Sequence, residues 1–134
     1  MSLRKIFFPI VALAMMICWT TPAVAQVLYG SVIGVLEDAS GGLIPNATVS
    51  LTNKGTGQTY EAKTDEGGRY LISNVLPGSY DLKVTNAGFK TETYRNLGIT
   101  ANTVTRQNTR LEVGSTTDTI TVEAQATTLQ DRQG

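Results

Sequence analysis

The chain contains no histidine, one cysteine and one tryptophan. Each shortage closes off a class of chemistry. Without imidazole, neither a Ser-His-Asp nor a Cys-His device can be assembled. Zinc loses the thiolate and imidazole ligands it most often takes. The two rare residues, Cys18 and Trp19, both stand in an N-terminal segment ordered like a secretory signal peptide. Arg4 and Lys5 give the positive start, residues 6–19 an apolar run, and Ala23-Val24-Ala25 the small residues of a cleavage site. The apolar run is too short for a hydrocarbon core, which needs roughly 20 helical residues. Met16 and Ile17 ahead of Cys18 are too bulky for a lipoprotein site. Cleavage is therefore expected between Ala25 and Gln26, so residues 1–25 are read as the signal peptide and the protein as exported, to the periplasm or outer membrane or beyond.

The remaining chain has neither cysteine nor histidine. No disulfide can staple it, although export would permit one. Its stability must come from a hydrophobic core, and roughly 100 residues suffice for one. Charge of either sign is also in short supply. The signal segment removes Arg4 and Lys5 and no acid, which leaves two more acidic than basic residues. A chain so balanced carries no electrostatic footprint for nucleic acid.

What is present is a period of two. Ala47, Val49 and Leu51 alternate with Thr48, Ser50 and Thr52, and Tyr80, Leu82 and Val84 alternate with Asp81, Lys83 and Thr85. Successive strand side chains point to opposite faces, so each segment has a buried and a wet side. Residues 27–36 form a longer β-rich run that Gly30 and Gly34 interrupt, which predicts a bulge or a close backbone approach. Residues 59–64 and 69–75 read as two more strands. Residues 103–113 read as a poorer one, where Arg106 and Arg110 suit an exposed edge. Turn-forming clusters at 38–45, 53–57, 65–68, 77–78 and 86–88 separate these runs. Their spacing is that of a sandwich or barrel. Gly67-Gly68 is expected to close a hairpin between the strands of Tyr60 and Tyr70. Pro77-Gly78 should turn Tyr80 inward, where its hydroxyl needs a partner such as the turn backbone.

In this order the motifs resemble a known series. Gly30-Ser31-Val32-Ile33-Gly34 leads to Asp38-Ala39-Ser40-Gly41-Gly42 and to Pro45-Asn46-Ala47-Thr48-Val49. Thr64-Asp65-Glu66-Gly67-Gly68-Arg69-Tyr70, Leu76-Pro77-Gly78-Ser79-Tyr80 and Ala87-Gly88-Phe89 follow. The series resembles the carboxypeptidase regulatory-like domain over residues 29–113. The resemblance implies an all-β, seven-stranded antiparallel Greek-key sandwich of the prealbumin type. It is a domain that accompanies certain carboxypeptidases, not the histidine-dependent peptidase, so it implies no catalytic residue, cofactor or metal. The division expected is signal peptide 1–25, sandwich 26–113 and an extended tail 114–134.

That tail carries Asp118, Thr119, Ile120, Thr121, Val122, Glu123 and Ala124. The stretch resembles the TonB box of TonB-dependent outer-membrane transporters, which pairs as an extra strand with the periplasmic energy transducer. Residues 111–115 resemble the join in Oar-like transporters, which carry this sandwich before plug and barrel. The resemblance implies docking by β-augmentation, with Ile120 and Val122 on one side and Thr119, Thr121 and Glu123 on the other. Even a small barrel needs 8 strands of roughly 10 residues. The expectation is therefore a binding or assembly module, either the N-terminal piece of a transporter or a free periplasmic domain.

A carbohydrate-binding module on a starch-binding-like sandwich is the alternative. Sugar sites favour exposed aromatic platforms, and Tyr94 beside Arg95 is the candidate ring. Acids at Glu37-Asp38 and Asp65-Glu66 could serve an enzyme only as facing carboxylates across a cleft. Adjacent acids on a strand or turn point apart, and no calcium-loop spacing is present.

Overall fold

The computed structural model describes residues 11–14, 21–23, 25–124 and, as backbone, 127–128. Most of the expected signal peptide lies outside the described residues. Residues 11–14 are helical, and Ala25 and Gln26 are exposed without regular structure. Among the described residues no helix is long and apolar enough to cross a membrane.

Period-two patterning becomes strand throughout. In chain order these are β1 (Gly30–Asp38), β2 (Thr48–Asn53), β3 (Thr59–Lys63), β4 (Arg69–Val75), β5 (Gly78–Thr85) and β6 (Thr91–Ile99). Then come β7 (Val104–Arg106), β8 (Thr109–Leu111), β9 (Thr119–Glu123) and β10 (Thr127–Thr128). One sheet runs β10-β7-β1-β4 with β8 also on β1, and the other runs β3-β2-β5-β6-β9. β7 and β8 follow the same edge of β1 in the same direction. They act as one strand broken at Gln107-Asn108, and with β1–β6 they complete the expected seven strands. β9 and β10 are additions. The β1–β4, β2–β3, β2–β5 and β5–β6 pairings are antiparallel, whereas β7, β8 and β9 pair in parallel. β1 and β7 are far apart in sequence, so no hairpin dictates their relative direction.

The inward rows are those the alternation marks. Val49 and Leu51 of β2 and Leu82 and Val84 of β5 are wholly buried. They face Val32 and Leu36 of β1, Ile72 and Val75 of β4, and Leu111 of β8. Tyr80 is wholly buried, and its hydroxyl donates to the Leu76 carbonyl at 2.5 Å. The turn made by Pro77-Gly78 is thus tied to the strand it launches, as in other tyrosine corners.

Gly67-Gly68 does make a tight turn, closed by Gly68 N–H to Asp65 O at 2.9 Å. It is not a hairpin, because β3 and β4 lie in different sheets. Here the turn is a corner that carries the chain across the sandwich. Buried Thr64 fixes its approach, donating its hydroxyl to Ile44 O and accepting from Ala47 N–H, each at 2.8 Å. Gly68 has φ of +70°, and a Cβ there would meet the Leu36 carbonyl at 2.6 Å.

Both interruptions of β1 have their reasons. The register with β4 shifts between Gly30 and Val32, a bulge. At Gly34 a Cβ would overlap the Gln107 carbonyl and come within 2.6 Å of the Tyr70 ring. Gly34→Ala is therefore expected to lower stability by about 1–3 kcal/mol, as overpacking of a filled core does. Gly98 faces open space, with nothing within 4 Å of a Cβ. Gly98→Ala should stay within about 0.5 kcal/mol of the parent. Urea midpoints of the two variants check the contrast.

Candidate functional site

Residues 118–124 form the outermost strand of their sheet. β9 lies parallel to β6 with Thr91 opposite Thr119, Thr93 opposite Thr121 and Arg95 opposite Glu123. Thr91 N–H donates to Asp118 O at 2.8 Å, and Ala124 N–H donates to Arg95 O at 3.0 Å. In a parallel ladder alternate residues turn their peptide groups to the same neighbour. Asp118, Ile120, Val122 and Ala124 thus address β6. The N–H and C=O groups of Thr119, Thr121 and Glu123 point away from it, and no further strand follows β9 among the described residues.

Local bonds hold the approach to β9. Lys90 N–H donates to Glu112 O at 2.8 Å, Gly114 N–H to Gly88 O at 3.0 Å, and Thr91 Oγ1 to Thr116 O at 2.8 Å. At the far end the Asn96 side-chain amide donates to Glu123 Oε2 at 2.9 Å. Side chains contribute less. Ile120 is half-buried, Val122 is 37% exposed, and Ala124 packs on the rim of the core.

The structure corrects the expectation for Tyr94. Its ring is 9% exposed and belongs to the core, opposite Leu82 on β5. Burial pushes its hydroxyl above the usual phenol range. The charged neighbour Arg95 misleads, because consecutive strand residues face opposite ways. Tyr94 is therefore not a sugar platform. Two residues earlier on the same inward row stands Glu92, 7% exposed. Burial pushes its carboxyl up, and the nearby Glu112 carboxylate adds to the shift.

The acids singled out in the sequence serve turns and an ion pair. Asp38 Oδ1 accepts from the amides of Ser40 and Gly42, each at 2.9 Å, and Asp65 Oδ1 accepts from those of Gly67 and Arg69 at the same distance. The Ser40 hydroxyl and these amides hold the Asp38 carboxyl below its ordinary range. Glu37 lies 3.9 Å from Arg110. Among the described residues no cluster of three or more Asp, Glu, His or Cys could hold a metal ion.

Sequence reasoning passed over the outer face of β1. Ile33 and Val35 point out of the sandwich beside exposed Leu71 of β4, between Arg69 and Arg106. A signal was available in Val32-Ile33 and Val35-Leu36, apolar on both faces where β2 and β5 alternate cleanly.

Two facing sheets, a tyrosine corner and a parallel last strand on β1 define a β-sandwich domain of the prealbumin type. The profile of the carboxypeptidase regulatory-like domain matches residues 31–112, more than half of the chain, and the chain belongs to that family. Colossin-A of Dictyostelium discoideum is 42% identical over 40 residues, 30% of this chain and a negligible share of that protein. Among solved structures, the minor pilin GBS52 of Streptococcus agalactiae superposes with a TM-score of 0.53 at 15% identity, over 67% of this chain and 47% of that one. The cohesin–X-dockerin complex of Acetivibrio cellulolyticus gives 0.52 at 23% identity, over 63% and 58%. Catechol 1,2-dioxygenase of Pseudomonas arvilla C-1 gives 0.51 at 12% identity, over 69% and 55%. Such likenesses establish a shared fold alone, and the chain spans about half the length of these structures.

Glu92 gives a pH test. Its folded pKa is raised, so the native state holds the proton more tightly than the unfolded chain. Stability from this group is then greatest in acid and falls as pH rises from the unfolded to the raised folded value. Glu92→Gln should raise the melting temperature near neutral pH and leave it little changed in acid. Thermal unfolding of both forms across that range is the measurement.

Proposed function

We propose that the chain is an exported, non-catalytic interaction module of an outer-membrane transport system. In this reading residues 118–124 dock a strand of the periplasmic energy transducer. The observation that carries it is the open edge of β9, where the Thr119, Thr121 and Glu123 backbone groups point away from β6. β-augmentation draws its affinity from such groups. With β9 already ordered on β6, a partner strand would meet a preformed template and avoid part of the ordering cost. Membership of a family whose resemblance extends to transporter N-terminal regions supports the same context.

Titration calorimetry of the chain against the transducer's periplasmic domain tests this. Thr121→Pro removes an outward amide, spares the β6 ladder and should abolish most binding. Arg95→Ala keeps its backbone and should bind like the parent. If the parent chain does not bind, the docking reading fails. Export has its own check. Intact mass from a Gram-negative host should correspond to a chain beginning at Gln26.

A further inference from the structure

The outward faces of the two sheets are unlike. On β2, β3 and β5 the outward side chains are polar, among them Ser50, Glu61, Asp81 and Lys83. On β1 they are Ile33 and Val35. Leu71 stands directly opposite Ile33 across β4, and it is 59% exposed. Arg106 stands opposite Ile33 on the other side, across β7, and Arg69 stands opposite Val35 on β4. Together they border a shallow cleft of about 500 Å³. It lies on the face of the sheet opposite the one that carries β9.

Lys54, Lys90 and Arg110 each sit within 4 Å of a carboxylate, whereas Arg69 and Arg106 form no ion pair among the described residues. The acid at the cleft rim, Asp65, spends Oδ1 on the amides of Gly67 and Arg69. Two strand spacings across and two residues along separate the backbones of Arg69 and Arg106 by roughly 12 Å. That matches an extended stretch of about three to four residues. An arginine fork at either end accepts a carboxylate bidentately, and the apolar floor between them suits an aliphatic side chain. A chain with equal numbers of acidic and basic residues here gathers two arginines around half-buried Ile33 and exposed Leu71, a local positive charge that its overall balance does not impose.

We propose that the outer face of β1 is a docking shelf for a protein partner's extended segment that places an aliphatic residue between two carboxylates. The shelf is independent of β9, so either can fail without the other.

Amide chemical-shift mapping on the full chain, labelled with nitrogen-15, tests the shelf. The probe is acetyl-Asp-Ser-Leu-Ser-Asp-amide, whose two carboxylates and leucine share one face when extended, and acetyl-Asn-Ser-Leu-Ser-Asn-amide is its neutral counterpart. The acidic peptide should shift residues 33–35, 69–71 and 106, and weaken with added salt. Arg69→Gln and Arg106→Gln should each loosen it by about threefold to tenfold. Leu71→Ser, exposed and harmless to the core, should loosen it as well. Equal binding of both peptides, shifts confined to other faces, or indifference to both arginine variants would overturn the assignment. Shifts at these amides that grow with protein concentration alone would overturn it too, by marking a self-association surface.

Discussion

The Gln107 carbonyl is the point on which one whole side of the sandwich is hung. It accepts the buried Tyr70 hydroxyl at 2.6 Å, which ties β4 to the strand on the far side of β1. The bond has to cross β1, and it can do so only where β1 lacks a side chain, at Gly34. Turning that carbonyl inward breaks the ladder along β1, and the chain repairs it locally. Gln107 N–H still donates to Ile33 O at 2.9 Å, and the Asn108 side chain supplies the acceptor for Val35 N–H at 3.0 Å. A buried phenol without a partner would cost about 1–3 kcal/mol. The interruption between β7 and β8 is thus the consequence of satisfying Tyr70.

The same crossing explains why β1 is apolar on both faces. Its inward row gives two of its places to glycine, Gly30 and Gly34, so Val32 and Leu36 must carry the packing there. Its outward row, Ile33 and Val35, then lies between β4 and β7, whose own outward residues include Leu71 and two arginines. A central strand that were merely solvated would alternate as β2 does. The departure from alternation centres on β1 and its two neighbours, with Leu71 exposed on β4 and Val104 on β7, and this grouping separates it from the scattered surface hydrophobics that any protein shows.

Much of this was legible in the sequence, for definite reasons. Turns announce themselves through residues with unusual backbone preferences, so Pro77-Gly78 and Gly67-Gly68 were placed correctly. Alternation names the face of a residue, so Val49, Leu51, Leu82 and Val84 were assigned inward correctly. Neither signal says which sheet a strand joins. The corner at 65–68 therefore read as a hairpin, although β3 and β4 part company there. Nor does a polar neighbour report exposure on a strand. Glu92, Thr93 and Arg95 surround Tyr94, yet Glu92 and Tyr94 both face inward and only Thr93 and Arg95 face out. The parallel seat of β9 on β6 was illegible because it depends on a pairing between distant segments, not on local pattern.

That seat recasts the tail. Ile120 and Val122 add modest apolar burial, so β9 is held mainly by a ladder of backbone bonds and by the Asn96–Glu123 contact. Backbone bonds are indifferent to sequence, which leaves the outward row free to be threonine and glutamate. A strand held this way is ordered yet cheap to open, because few buried side chains must be unpacked. A competing strand could therefore use β9 in either of two ways, by adding to its outer edge or by taking it from β6. Geometry separates the two outcomes. Addition leaves Ile120 beside Glu92 in the sheet, whereas removal uncovers β6 and should let the Glu92 carboxyl ionise at lower pH. The titration of that one acid in the bound state would report which edge of β9 a partner reads.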